Sequence, residues 1–238
     1  MRAELDAHVV SAAGAGFALD LRITAPIGIT ILFGPSGAGK STTLRAIAGL
    51  DRPSAGRIAL RESVWFDSER GVDVPVHHRG LAYVFQSLAL FPHLTAAENV
   101  EFGLDRRLSR DERRALALSR LERMRVPHLA DRRPGTFSGG EAQRVALARA
   151  FAREPKLVLL DEPFSAMDRE LRRELGEEVK RYVEEAQIPA IMVTHHRMDA
   201  RALGTRMIRL AGGKIAAEGS VDALLEEAER ARDEEEDR

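Results

Sequence analysis

The residues best spaced for chemistry lie in GPSGAGKST, residues 34–42. This stretch matches the pattern G-x-x-x-x-G-K-[ST] through Gly34, Gly39, Lys40 and Ser41. Glycines in such a loop let backbone N–H groups turn towards phosphate oxygens, and the helix that follows adds its positive N-terminus. The lysine reaches the β- and γ-phosphates, and the serine hydroxyl binds Mg²⁺. The loop therefore predicts a site for a nucleoside triphosphate.

Two adjacent acids, Asp161 and Glu162, end the apolar run in KLVLLDEP. Asp161 can hold Mg²⁺, as the second acid of such sites does. Glu162 can orient or deprotonate the attacking water. The competing interpretation is an exposed acidic turn before Pro163, and the upstream phosphate loop favours the chemical one.

A third stretch, FSGGEAQRVALARAF, begins with a helix-start signal. Ser138 and Glu141 have the spacing of a capping box, so a well-capped helix is one interpretation. A cap does not require glycines at the first two helical positions, where Gly139 and Gly140 weaken the helix. Glycines there leave room for a ligand at an end of the helix that attracts anions.

Four short apolar runs predict buried strands of a sheet covered on both faces. They are residues 28–33, 81–85, 157–160 and 190–193. Each is followed at once by glycine or a polar residue, and ligands bind beyond the carboxyl ends of strands in such sheets. The fold class is therefore predicted as α/β, a P-loop NTPase core with a parallel central sheet.

The remaining patterns predict helices and an antiparallel part. The predicted helices are residues 40–48, 111–124, 141–152 and 170–186. Residues 1–27 and 56–66 favour antiparallel strands, which form an N-terminal β subdomain.

The chain is predicted to be a single domain, residues 1–238. Its catalytic core comprises residues 1–87 and 153–225, and an all-helical subdomain is inserted at 88–152. An acidic tail, 226–238, is predicted to be a solvated helix end.

Composition narrows the function classes. The absence of cysteine excludes disulfides, thiolate catalysis and cysteine-based zinc sites. A net charge of -1 gives no global attraction to nucleic acid. No apolar run approaches the roughly 18 residues of a membrane span, and the first residues are too polar for a signal peptide. These features fit a cytoplasmic protein.

Taken together, GPSGAGKST, YVFQ, SGGEAQR, LLDEP, SAMD and VTHH resemble, in order, the motifs of the ATP-binding subunit of an ABC transporter. The resemblance implies a head-to-tail dimer in which the phosphate loop of one copy faces the SGG helix of the other across ATP. The expected nucleotide-binding residues are Gly34, Pro35, Ser36, Gly37, Ala38, Gly39, Lys40, Ser41, Thr42, Gln86, Ser138, Gly139, Gly140 and Asp168.

The resemblance also implies individual roles. Gln86 resembles the glutamine that senses Mg²⁺, the γ-phosphate and the membrane partner, so the expected metal ligands are Ser41, Gln86 and Asp161. Asp168 resembles an aspartate at the dimer interface. His195 resembles the histidine that contacts the γ-phosphate, and the expected catalytic residues are Lys40, Glu162 and His195.

Some positions depart from the family pattern. The signature is usually LSGGQ, and Phe137 and Glu141 replace its leucine and glutamine. No aromatic residue occurs at 9–16 to stack on adenine. Phe17 is the nearest candidate, and a core position in an N-terminal strand is the alternative.

The segment SLALFPHLTAAENV resembles the stretch of importer subunits that receives a coupling helix of the permease. Phe91, Pro92 and Leu94 are then exposed anchors. Alternatively, they pack inside the helical subdomain.

A finer resemblance, carried by GITILFGPSGAGK, WFDS, VPVHHRGLAYVFQ and LFPHL, is to molybdate-importer ATPases. Such subunits often carry a further C-terminal domain, so this chain is a short form or serves another solute, such as sulfate, a metal, a sugar or an amino acid. The resemblance implies a peripheral protein on the cytoplasmic face of the membrane. Its partners would be permease subunits and, indirectly, a solute-binding protein, with no nucleic acid. The alternatives are a soluble ABC ATPase of DNA repair or translation, and a small-molecule kinase.

Overall fold

Two sheets make up the β-structure of the described residues. The computed structural model describes residues 4–11, 18–165 and 167–236. In chain order the strands are β1 Leu5–Ser11, β2 Leu19–Ala25, β3 Gly28–Phe33, β4 Ala55–Leu60, β5 Ser63–Asp67, β6 Val72–Asp73, β7 Leu81–Val84, β8 Leu157–Asp161, β9 Pro189–Val193, β10 Arg206–Ala211 and β11 Lys214–Gly219. One sheet has the order β2-β1-β4-β5-β6, and the central sheet has the order β11-β10-β3-β9-β8-β7.

The central sheet is parallel from β10 to β7, and only β11 joins it antiparallel. Its inner strands are buried along almost their whole length because both faces are covered, as the apolar runs predicted. Along β8, Val158 and Leu160 face one hydrophobic core while Leu157 and Leu159 face the other. The α/β fold class is therefore confirmed.

Helices follow strands β3, β7, β8, β9 and β11 in the chain. They are α1 Lys40–Ala48, α2 Ala96–Phe102, α3 Arg110–Arg123, α4 Gly139–Phe151, α5 Arg169–Ala186, α6 Arg197–Leu203 and α7 Val221–Glu236. The four predicted helices are confirmed as α1, α3, α4 and α5, with ends within two residues of those expected. Three of these N-termini lie where the sequence supplies a cap: Ser109, Ser138 and Asp168 accept backbone hydrogen bonds there.

The second sheet is antiparallel, as predicted for this part of the chain. Strand β1 pairs with β2 on one side and with β4 on the other. Alternate side chains of β1, among them Leu5 and Val9, enter a core that also contains Leu44 and Ile47 of α1. The helix after the glycine loop is therefore held by both sheets.

Residues 88–152 contain α2, α3 and α4 and no strand. Helix α4 is joined to α5 by a buried ion pair, in which Arg144 Nη1 donates to Glu178 at 3.0 Å. The boundaries of the inserted subdomain stay a prediction.

Helix α7 contains the start of the predicted acidic tail. Its acids pair with arginines of neighbouring elements: Asp222 with Arg201, Glu227 with Arg209 and Glu229 with Arg197. Within the described part of the chain, no helix is long and apolar enough to cross a bilayer.

Candidate functional site

The glycine loop connects the end of β3 to the start of α1. Gly34 has a φ of 150°, and a Cβ there would collide with the backbone carbonyl of Leu210 on β10. Gly39, with a φ of 97°, occupies the N-cap position of α1. It provides no side-chain cap, and the first turn contains no acid. Among the described residues, the N–H groups of this turn therefore have no side-chain acceptor.

Lys40 is buried and lies across the loop. Its Nζ donates to the carbonyl oxygens of Gly34 at 2.9 Å and of Pro35 at 2.8 Å. Burial lowers the pKa of this ammonium group, while the nearby carboxylates of Glu162 and Asp161 oppose the shift. The loop is thus folded around a positive charge that faces two acids.

The carboxylate of Asp161 is held from two elements. Ser41 of α1 donates to Oδ1 at 2.8 Å, and the hydroxyl of Tyr83 on β7 donates to Oδ2 at 3.1 Å. Ser41 and Asp161 were predicted as metal ligands and do lie together. The contact of Tyr83 with Asp161 was not predicted, because it depends on the pairing of β7 with β8, and the sequence alone does not give that pairing.

Glu162 and His195 come from neighbouring strand ends and meet. The backbone N–H of Glu162 donates to Val193 O, which joins the ends of β8 and β9. His195 Nδ1 lies 3.3 Å from Glu162 Oε1. Glu162 adopts a φ of 47°, an uncommon value that a residue other than glycine holds only where the surroundings enforce it. The two residues predicted to assist water attack are therefore in contact.

Residues of the glycine loop, the start of α1 and Glu162 border a cavity of about 570 Å³, a volume typical of small-ligand sites. Its lining residues are Ser36, Gly37, Gly39, Lys40, Ser41, Thr42 and Glu162. Among the described residues, no cluster of three or more His, Asp or Glu side chains could hold a metal. The donor set fits Mg²⁺ nonetheless, because this ion takes hard oxygens and is usually bound by one or two carboxylates together with substrate phosphates. Ser41 and Asp161 provide such oxygens.

The other predicted nucleotide ligands do not border this cavity. Gln86 is exposed, two residues beyond the end of β7. The carboxylate of Asp168 caps α5 by accepting from the N–H groups of Glu170 and Leu171. The Ser138–Gly140 segment makes no hydrogen bond to the glycine loop within the described residues. The roles of these residues stay predictions.

The start of α4 has the predicted capping box between Ser138 and Glu141. At Gly139 a Cβ would meet no atom within 4 Å, so the space beside it is open, and its role at a ligand stays a prediction. At Gly140 a Cβ would overlap the Leu171 side chain of α5, so this glycine also lets α4 and α5 pack closely. The role of Gly140 at a ligand stays a prediction.

Two further predictions concern aromatic residues. Phe17, the candidate for adenine stacking, lies outside the described residues. Phe91 and Leu94 are partly buried while Pro92 is exposed, and the role of the three residues as anchors stays a prediction. The Phe91 ring contacts that of Phe102 with centroids 4.5 Å apart. Phe102 is 59% exposed, which leaves aromatic surface open beside α2.

Comparison with known proteins agrees with this geometry. The sequence model described as "ABC transporter" matches residues 21–165. The molybdenum import ATP-binding protein ModC 1 of Azotobacter vinelandii is 41% identical over 89% of this chain. ModC of Methylococcus capsulatus is 42% identical over 88% of it. This chain covers 58% of the length of each of these relatives.

Solved structures agree as well. The dimeric bacterial ABC transporter cassette MJ0796 superposes with a TM-score of 0.78 and 30% identity, over 91% of this chain and 98% of that one. A post-hydrolysis dimer of the same cassette, bound to ADP and phosphate, gives a TM-score of 0.79 and 31% identity over the same shares of the two chains. From its matched sequence and its fold, this chain belongs to the ABC transporter family.

Proposed function

We propose that the chain is the ATP-hydrolysing subunit of an importer for molybdate or a related oxyanion. The observation that carries the ATPase part is the convergence of Lys40, the Ser41–Asp161 pair and the Glu162–His195 pair at one edge of the central sheet. The proposal that the transported solute is an oxyanion rests on the names of the relatives, which are molybdenum import proteins.

The chemistry follows from the positions of these groups. The N–H groups of the loop and the Lys40 ammonium bind the phosphates and neutralise the charge that develops in phosphoryl transfer. Ser41 and Asp161 would hold Mg²⁺, which supplies further positive charge at the phosphates when bound. Glu162 orients the attacking water or takes its proton, and His195 fixes Glu162 and contacts the γ-phosphate.

The site is completed by a second copy of the chain. Gly139 faces open space at the N-terminus of α4. Within the described residues, the segment Ser138–Gly140 makes no hydrogen bond to this chain's own glycine loop. In a head-to-tail dimer each α4 N-terminus would meet the phosphates held by the partner, with Asp168 at the interface. The matched cassette was solved as a dimer, which supports this arrangement.

The membrane partner would bind beside α2. Phe91, Pro92 and the exposed Phe102 provide an apolar surface, and the Arg149 guanidinium lies 5.3 Å from the Phe91 ring. The buried Asn99 fixes the segment by accepting from Phe91 N–H and donating to the carbonyls of Phe91, Leu94 and Thr95. Such a rigid apolar patch suits a helix of a permease. Gln86 lies just upstream of the patch and would connect it to the nucleotide.

In the cell, the protein would then lie peripherally on the cytoplasmic face of the membrane, coupled through the permease to a solute-binding protein and not to nucleic acid. The test is reconstitution of the chain and its co-purified permease in vesicles, with ATP supplied to the side that carries this subunit. Molybdate should enter the vesicles with the intact chain and not with Lys40→Ala. If the vesicles took up sulfate or another solute and not molybdate, that solute would replace molybdate as the proposed substrate. If this chain bound no membrane partner, the proposed importer function would be refuted.

A further inference from the structure

Both carboxylate oxygens of Asp161 are engaged by neighbours from different elements. The register of β7 and β8 places Tyr83 opposite Leu159, two residues before Asp161. The tyrosine hydroxyl therefore reaches along the neighbouring strand to Oδ2, while Ser41 holds Oδ1. Fixing both oxygens sets the plane of the carboxylate, which a single hydrogen bond leaves free to turn.

The Tyr83 hydroxyl acts as a donor to this acid. A tyrosine hydroxyl ordinarily carries its proton at neutral pH and an ionised carboxylate only accepts, so this hydrogen bond runs from the phenol to Asp161. A neutral phenol orients the carboxylate without cancelling its charge, whereas an arginine in this place would compete with a cation. The ring is held independently, stacked on Phe85 with centroids 4.3 Å apart.

We propose that Tyr83 is a positioning residue that holds Asp161 in the orientation in which its free lone pairs and Ser41 accept Mg²⁺. This inference rests on the proposed function, because it requires that the site binds ATP with the metal. Groups that hydrogen-bond a metal-binding side chain typically change metal affinity by about 10- to 100-fold when removed. Tyr83→Phe removes the hydroxyl while keeping the ring and its stacking.

The chain offers a matched control, because it contains only two tyrosines. Tyr182 of α5 also stacks on a phenylalanine, Phe151, with centroids 4.0 Å apart. Its hydroxyl donates to the Phe151 carbonyl at 3.5 Å, far along the chain from the glycine loop. Tyr182→Phe therefore removes a comparable hydroxyl without touching Asp161.

The experiment measures equilibrium binding of a non-hydrolysable ATP analogue to the full chain, once with Mg²⁺ and once with a chelator. Mg²⁺ should increase the analogue affinity of Tyr83→Phe by a factor about ten-fold smaller than it does in the wild type. The affinity measured in chelator should be the same in both proteins. Tyr182→Phe should change neither value. Equal gains from Mg²⁺ in Tyr83→Phe and the wild type would overturn the proposal. A wild type that binds no analogue under either condition would overturn the proposed function itself.

Two further measurements separate orientation from packing. In a protein that already carries Asp161→Asn, Tyr83→Phe should change the increase in affinity caused by Mg²⁺ by less than about two-fold. If the increase still fell about ten-fold, the hydroxyl would not act through Asp161. The Tyr182→Phe protein carries Tyr83 as its sole tyrosine. Nuclear magnetic resonance of its labelled ring should show a shift when Mg²⁺ is added to the bound analogue. An unchanged signal would overturn the proposal without any substitution at Tyr83.

Discussion

Two helices of this protein begin beside glycines, and they do so for different reasons. Helix α1 follows a loop whose Gly34 and Gly39 adopt φ values of 150° and 97°. Helix α4 begins directly after Ser138, which caps it through a reciprocal pair of hydrogen bonds with Glu141. In the first region glycine is required by the backbone. In the second, Gly139 has open space around it and Gly140 packs against Leu171.

This difference indicates which of the two helix starts can bind phosphates without a second copy of the chain. The start of α1 is uncapped and lies beside a buried lysine and the acids Asp161 and Glu162. The start of α4 is already capped, and no hydrogen bond joins it to the glycine loop within the described residues. One region can therefore hold phosphates alone, while the other would act on phosphates held by a second copy. The following predictions test that contrast, from the largest expected effect to the smallest.

Lys40→Ala should weaken ATP binding by at least about 100-fold, because charge-assisted contacts to the phosphates are lost in a partly desolvated site. Binding is measured by calorimetry on the isolated chain. Lys156→Ala, which changes an exposed lysine before β8, is the control and should bind as the wild type does. Near-normal affinity in Lys40→Ala would refute the self-contained phosphate site.

Glu162→Gln should lower the hydrolysis rate by about 100-fold or more, because a group that accepts or directs a proton contributes on the order of 10²–10⁴ to such reactions. ATP affinity should stay within about two-fold, since the amide keeps the shape of the side chain. Released phosphate is the readout, and Glu62→Gln, at an exposed acid between β4 and β5, serves as control. Hydrolysis at a normal rate would show that Glu162 takes no part in water attack.

Gly139→Ala should lower hydrolysis about ten-fold, because a methyl group would separate the helix N-terminus from the partner's phosphate and weaken that contact. Stability should not fall, since the space around Gly139 is open within the chain. Gly135→Ala is the matched control, because a Cβ there also meets no atom within 4 Å and the residue lies before the cap. Equal rates in both variants would argue against contact between α4 and phosphate.

Ser138→Ala should lower the free energy of unfolding by about 1 kcal/mol through loss of the cap. Ser109→Ala removes the same kind of capping box from α3 and should cost a similar amount in urea unfolding. Only Ser138→Ala should also reduce hydrolysis. If each substitution lowered the free energy of unfolding and neither changed the hydrolysis rate, Ser138 would act only as a helix cap.

Much of this site could be predicted because its signals are local. Strand β3, the glycine loop and α1 are contiguous, and apolar residues bounded by glycine mark their limits within one residue. Asp161 and Glu162 were found in the same way, at the end of a buried strand.

What escaped prediction depends on contacts between distant segments. The bond from Tyr83 to Asp161 requires the pairing of β7 with β8, and the packing of Gly140 requires α5 beside α4. Helices α2 and α6 are only seven residues long, too short for a periodic pattern to stand out. The family resemblance assigned Gln86 and Asp168 roles that involve a ligand or another chain, so these stay predictions.

The central claim, that two copies close around nucleotide bound to the glycine loop, is tested most directly by the molecular mass of Glu162→Gln in solution. Sedimentation equilibrium should give a monomer without nucleotide and a dimer at saturating ATP, and adding Gly139→Asp should abolish that dimer through charge repulsion at the phosphate. Monomers at saturating ATP, or dimers indifferent to Gly139→Asp, would contradict the account.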